Sequence, residues 1–314
     1  MSPNGYICSK LTSWAVHGIY QNMDELLTTK ELAGFLRLNE KKVYQLVRDG
    51  GIPHVKIAGK WLFPKRHVMR WIDENVQREK DIQIIGSDDM LLGRLVSQYS
   101  RDNFPDSLAF YSSVGSLKGI QLLSQKKGQA CCTHLLDMET DEYNLPILSR
   151  VLSPQEYVVV NLWHRQQGFI VKKGNPLTIR GLGDIVDKKA RFINRNDGSG
   201  TRVLLEYFVR KLDLSDEEIE GFQREVNSHL EVALKVFFDE ADVGLGIRYV
   251  TYLLPLDFIP LKEERFDLVV PKELWVTSVM KGLFSYVEPS RIARLSTNLP
   301  GYNLKDTGKI LFES

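Results

Sequence analysis

The sequence is short of cysteine and of long apolar runs. Its three cysteines, Cys8, Cys131 and Cys132, are an odd number, and two of them are adjacent. That is a poor disulfide framework, and no C-x-x-C or Cys/His spacing suggests zinc. Buried or surface thiols in a reducing compartment are expected. No apolar run approaches the ~20 residues of a membrane span. The N-terminus has no basic flank, clean apolar stretch or small-residue cleavage site, so no signal peptide and a cytoplasmic location are expected. Internal repeats, low-complexity tracts, a P-loop and a G-x-S-x-G elbow are also missing.

What is present is ordinary in bulk and uneven in detail. The 314 residues are 43% hydrophobic and 26% charged, with a formal net charge of +1. That length suggests two domains with ample core. From Asp24 to Lys80 there are 12 Lys and Arg against 8 Asp and Glu, whereas from Asp81 onward 28 face 32. A small basic module therefore precedes a larger, mildly acidic one. The expected boundaries are an N-terminal extension over 1–23, a basic module over 24–78 and a second domain over 82–314. The polar stretch Asn75–Asp81 reads as a helix end running into a linker.

In the basic module, Thr28 and Glu31 fit a capping box. Leu32, Phe35 and Leu36 follow at helical spacing. After a break at Arg37-Leu38-Asn39, a second helix is expected from Glu40 to Asp49, with Val43, Leu46 and Val47 inward. Gly50-Gly51 stops it. Val55–Ile57 and Lys60–Phe63 then read as a hairpin around Ala58-Gly59. Pro64 opens a last helix carrying Val68, Trp71 and Ile72. The segment "LLTTKELAGFLRLNEKKVYQLVRDGGIPHVKIAGKWLFPKRHVMRWI" resembles the excisionase/MerR-like family of small winged helix-turn-helix domains. The resemblance implies a second helix in the DNA major groove and a wing along the backbone. Lys41, Lys42, Lys56 and Lys60 would neutralise phosphates. Gln45 and Arg48 would reach base edges, and Tyr44 a phosphate or a thymine methyl. A solvated helix face could carry the same side chains. Trp61 and Trp71 are expected in the core.

Beyond Asp81, short apolar runs alternate with polar loops and helical periodicity. Ile82–Gly86, Leu108–Tyr111 and Gln129–His134 read as buried strands, an α/β parallel-sheet pattern. Two loops, Ser87-Asp88-Asp89 and Ser112–Ser116, start helices with small hydroxyl residues. A third, Asn194–Arg202, adds Gly198, Ser199, Gly200 and Thr201. Helix N-termini at the carboxyl edge of a sheet attract anions. Arg195 or Arg202 could add a guanidinium fork.

These loops resemble two-lobed anion-binding proteins, especially the molybdate/tungstate-binding type. "GSDDMLLGRL", "SSVGSLKGIQLL", "CTHLLDMETDEYN", "NLWHRQQGFIVKKGNP", "NRNDGSGTRVLLEY", "ADVGLGIRYV" and "LDFIPLKEERFDLVVP" resemble a cytoplasmic ligand-binding-protein-like domain. That domain is found fused to helix-turn-helix modules and to molybdopterin-biosynthesis proteins. The fold class implied is an α/β two-lobed periplasmic-binding-protein-like domain behind an α+β winged helix-turn-helix. Lobe two is expected at about 157–258, with a crossing back near Ala241–Ile247. By resemblance the ligand residues are Ser87, Ser113, Ser116, His134, Arg195, Ser199, Gly200 and Thr201. His164, Arg165, Arg248 and Tyr249 are further cleft candidates. Asp88 would cap a helix; if either Asp88 or Asp89 points into the cleft, a cationic or hydroxylated ligand becomes more plausible than an oxyanion. No cofactor and no catalysis are expected. The function implied is a homodimeric DNA-binding regulator sensing molybdate or tungstate. An enzyme acting on a phosphate-bearing or pterin-like molecule, and an excisionase-like architectural DNA protein, are the alternatives.

Overall fold

The computed structural model describes residues 25–152 and 157–313. The expected extension over 1–23, and Cys8 with it, lie outside the described residues. The chain divides into two compact units, Met1–Glu79 and Lys80–Ser314.

In the first unit β1 (Leu26–Thr28) leads into α1 (Thr29–Leu36) and α2 (Glu40–Arg48). The hairpin β2 (Val55–Ile57) and β3 (Lys60–Pro64) follows, then α3 (Lys65–Lys80). Thr28 and Glu31 close the capping box: Glu31 N–H donates to Thr28 Oγ1 at 3.3 Å, and Thr28 N–H to Glu31 Oε2 at 2.8 Å. Arg37, in the left-handed region at φ 53, ends α1, and Asn39 caps α2 by accepting from Lys42 N–H at 2.8 Å. The hairpin turn has positive φ at Ala58 (47) and Gly59 (80), as a two-residue turn with the strand twist needs. Leu32, Val43, Val47, Ile52, Phe63 and Val68 form the core. The short β1, which no sequence pattern announces, pairs antiparallel with β3. The helix α3 continues through the expected linker to Lys80.

The second unit is a sheet flanked by helices. The main path of the sheet has β4 (Ile82–Gly86), β5 (Ala109–Ser113), β6 (Ala130–Thr133), β7 (Tyr157–Lys172), β8 (Phe192–Arg195), β9 (Glu225–Val226), β10 (Val243–Ile247) and β11 (Leu256–Pro271), and two short strands, β12 (Tyr302–Asn303) and β13 (Ile310–Glu313), also pair with β7. The main path lies in the order β5-β4-β6-β11-β7-β10-β8-β9. The pairs β4/β5, β4/β6, β10/β8 and β8/β9 are parallel. Helices α4 (Met90–Asn103), α5 (Ser116–Ser124), α6 (Leu145–Val151), α7 (Leu182–Asp187), α8 (Gly200–Lys211) and α9 (His229–Phe237) fill the connections.

Two 16-residue strands organise this unit. β7 and β11 pair antiparallel from Tyr157↔Pro271 to Lys172↔Leu256. At one end β11 pairs with β6, in lobe one; at the other β7 pairs with β10, in lobe two. Both strands therefore run from lobe to lobe, and their midpoint near Arg165 and Glu264 is the hinge. This corrects the expected lobe limits. The first half of β7 belongs to lobe one, and β10, taken as the crossing, lies within lobe two. Lobe two has its own core around Phe169, Phe192, Leu205, Val209 and Leu245. Lobe one packs Ile85, Ile120, Leu123, Val159 and Val269 on one face of its sheet.

Candidate functional site

The cleft forms where strands of both lobes end. After β4, Ser87-Asp88-Asp89 turns into α4. Asp89, not Asp88, is the cap: its Oδ1 accepts from Leu92 N–H at 2.7 Å. Its Oδ2 accepts from Arg165 Nη1 and from the Tyr302 hydroxyl, each at 2.9 Å. Burial pushes the Asp89 carboxyl up, against the pull of Arg165. Asp88 turns the other way. Its Oδ2 accepts from the backbone N–H of His229 at 2.9 Å, at the start of α9 in lobe two. The expected capping role of Asp88 is thus replaced by a contact across the cleft, where an N–H of lobe two meets its charge rather than leaving it open to a cationic or hydroxylated ligand. Adjacent side chains in extended backbone point to opposite sides, so only one of the pair could reach its own helix.

The hinge supplies the centre. Arg165 and Glu264 are directly opposed in the β7/β11 register. Arg165 Nε donates to Glu264 Oε1 at 2.6 Å, and the guanidinium lies 4.1 Å from the Phe266 ring centroid. Glu264 Oε2 takes His134 Nδ1 at 2.6 Å and also Gln167 Nε2. Gln167 Nε2 reaches Thr201 Oγ1 at 3.1 Å. One buried network thus joins lobe one (His134, Asp89), the hinge (Arg165, Gln167, Glu264) and lobe two (Thr201). Burial pushes the Glu264 carboxyl up, but Arg165 and His134 more than offset it and hold it below the usual range. Burial lowers the His134 pKa despite the neighbouring Glu264 carboxylate.

The expected ligand residues are distributed unevenly around this network. Ser87 is buried, and its carbonyl accepts from the Tyr111 hydroxyl. Ser116, at the start of α5, is buried with its Oγ accepting from His134 N–H at 3.4 Å. Gly200 packs so closely on His134 that a Cβ would lie 2.6 Å from the His134 carbonyl oxygen. Ser199 is buried and caps α8, its Oγ accepting from Arg202 N–H at 3.2 Å. Arg195 is buried; its Nη2 donates to Asn227 O at 2.8 Å, and its Nε has no hydrogen-bond partner among the described residues. Ser113 is set apart, exposed at the end of β5.

Other candidates do structural work. Arg202 ties α8 to β9 through Glu225 and pairs with Glu206 within α8, each at 3.2 Å. His164 pairs with Asp306 at 2.9 Å, and exposed Arg248 with Gln166 at 3.0 Å. Tyr249 is buried near Asp88 and Asp89, and burial raises its pKa strongly. Sequence reading missed Gln167, Glu264 and His229. One signal for the hinge was there: the four polar residues His164–Gln167 interrupt an otherwise largely apolar strand. His229 is fully buried, and neither ring nitrogen has a partner among the described residues. Burial, then the charges of Arg195, Arg165 and His134, push its pKa well below the ordinary value. The described residues contain no cluster of three or more potential metal ligands, and no helix among them is long and apolar enough to cross a membrane.

The first unit presents a different surface. On α2, Lys41, Tyr44, Gln45 and Arg48 are exposed at positions i, i+3, i+4 and i+7, hence on one face. Lys42 is exposed beside them and donates to Gln45 Oε1 at 3.1 Å. On the hairpin, exposed Lys56 lies 4.9 Å from the Trp61 ring centroid, and Lys60 is exposed. Trp61 and Trp71 pack against the core.

Known proteins extend this description. The helix-turn-helix domain family matches residues 26–76, and the PBP superfamily domain matches residues 97–288. The uncharacterized protein YvgK of Bacillus subtilis is 28% identical over 91% of this chain and 98% of its own length. A Clostridium pasteurianum protein from the 5′ region of a ferredoxin gene is 35% identical over 35% of this chain and 99% of its own. A putative phosphate ABC transporter substrate-binding protein from Clostridium perfringens superposes at TM-score 0.53 with 14% identity, covering 72% of this chain and all of the other. A tungstate ABC transporter from Geobacter sulfurreducens does so at 0.52 with 14% identity, covering 70% and 99%. The CcmR regulatory domain of Synechocystis, in complex with 2-PG, does so at 0.50 with 10% identity, covering 66% and 94%. At these identities the likeness is one of fold, the two-lobed periplasmic-binding-protein architecture. With that domain matched over more than half of its length, the chain belongs to the PBP superfamily and carries a helix-turn-helix domain at its N-terminal end.

Proposed function

We propose that this protein is a one-component transcriptional regulator in the cytoplasm that binds double-stranded DNA and responds to a small anion in the cleft between its lobes. The DNA half is supported by the exposed α2 face and the basic hairpin. Lys41, Lys42, Lys56 and Lys60 neutralise phosphates, Gln45 and Arg48 read base edges, and Tyr44 touches a phosphate or a thymine methyl. One such head makes few phosphate contacts, so a homodimer on paired half-sites is the working form.

The observation that carries the sensing half is the carboxylate of Asp88 seated on the α9 N-terminus from across the cleft. A position that takes a carboxylate from its own chain offers the donors and the helix dipole that a free anion needs. Buried Arg195 adds positive charge beside it. Tetrahedral metal oxyanions, molybdate or tungstate, fit such a compact set of N–H donors. Proteins of this fold described as carrying tungstate or holding phosphate support that choice. The CcmR domain shows the same fold serving a regulatory chain with a small ligand. The anion binds the closed arrangement better than the open one, and closure changes how the DNA-binding heads are held.

The test is thermal melting of the purified chain against molybdate, tungstate, phosphate and sulfate. An anion at 100 times its dissociation constant should stabilise the fold by about 2.7 kcal/mol. A shift with molybdate or tungstate alone supports the finer reading. No shift with any oxyanion contradicts the anion reading and leaves the DNA half standing.

A further inference from the structure

We propose that Asp88 is a resident competitor in the cleft: its carboxylate holds the position on lobe two that an anionic ligand takes, and the ligand displaces it. This rests on the anion-sensing reading and states how that site is regulated. Three observations converge on it.

The first is where the contact lies. Asp88 follows β4 in lobe one, and the N–H that it reaches opens α9 in lobe two, at 2.9 Å. The second is that neither helix needs Asp88 as a cap. At α4 the cap is Asp89. At α9, Ser228 Oγ accepts from Glu231 N–H at 3.0 Å, and Glu231 Oε2 accepts from Ser228 N–H at 3.2 Å and from Asn227 N–H at 2.6 Å. A full capping box is thus in place, and Asp88 is an additional anion. The third is unused donor capacity. Arg195, only 2% exposed, has an Nε without a partner among the described residues, and Asp88 supplies the acidic charge that bears on it most. The ring nitrogens of His229, 0% exposed, likewise have none. A tetrahedral oxyanion has several acceptor oxygens to offer this set, where Asp88 offers one to His229 N–H.

The His229 N–H is held by Asp88, and an anion that takes this donor meets a carboxylate already seated on it. Ligand entry must therefore move Asp88, which exchanges a contact within the chain for a contact with ligand. The wild-type affinity is held down by that exchange, and the ligand class is a small oxyanion able to out-compete one carboxylate.

The experiment is calorimetric titration of the full chain with molybdate, tungstate, phosphate and sulfate, comparing wild type, Asp88→Asn and Asp88→Ala. Circular dichroism and a cooperative melt verify each fold. Asp88→Asn keeps the shape and removes the charge, so it carries the comparison if Asp88→Ala does not fold. The expected result is at least tenfold tighter binding in the variants, about 1.4 kcal/mol, for each anion that wild type binds. Variants that bind equally or more weakly, beside a wild type that binds, overturn the competitor role and leave the anion reading intact. No binding of any anion by any of the folded proteins overturns both.

Discussion

Glu264 meets a guanidinium, an amide and an imidazole in a place without solvent. A carboxylate survives there because its neighbours neutralise it; taken alone, burial would protonate it. Truncation to Ala strands Arg165 beside a single carboxylate, Asp89. The expected loss is about 3–5 kcal/mol of unfolding free energy in urea titration, as for other broken buried pairs. A loss below 1 kcal/mol would show that the network is dispensable. His229 gives a test in pH. Its folded pKa lies well below its ordinary 6.5, so the ring is neutral when folded and takes up a proton on unfolding. Its contribution is complete above pH 6.5 and is lost as pH falls below that value, at up to about 1.4 kcal/mol per pH unit. His229→Gln should flatten the stability profile between pH 6.5 and 5 relative to wild type. Parallel profiles would refute the assignment.

At the scale of elements, signals were legible where they were local. The capping box at Thr28 and Glu31, the turn at Ala58-Gly59 and the spacing of Lys41, Tyr44, Gln45 and Arg48 each lie within a few residues, and sequence reading located them. Thr28→Ala should cost about 1 kcal/mol in the melt of the full chain, and an unchanged melt would contradict the cap. The hinge was not legible because pairing partners leave no mark in a strand. The first half of β7 pairs in lobe one and the second half in lobe two, and the polar residues His164–Gln167 between them mark a break without saying which lobe each half joins. The glycines of "DVGLG" suggested a crossing. Instead Gly244 makes room for Val232 and Ile193, and Gly246 for Ile170, within lobe two. The choice between Asp88 and Asp89 as cap depends on which side each faces, which composition does not encode. Gly200 makes the closed contact testable. A Cβ there meets the backbone of His134, which cannot yield as a flexible side chain would. Gly200→Ala should keep the helix content and lose oxyanion-dependent stabilisation; a retained wild-type melting shift would contradict this contact as part of closure.

For the whole molecule, the proposed function places a DNA-reading unit and a two-lobed unit in one chain, the second controlling the first. Each unit is intelligible alone: a basic helix face on a small core, and a cleft whose hinge holds one polar network in common. Coupling adds the requirement that ligand and DNA alter each other's affinity by the same factor. The most direct measurement is the affinity of the full chain for DNA upstream of its own gene, titrated across a salt series with and without tungstate or molybdate. The account predicts log affinity falling linearly with log salt, and a shift of the whole line by fivefold or more when the oxyanion is added. A salt-sensitive line that the oxyanion leaves in place, with the oxyanion bound, would contradict it.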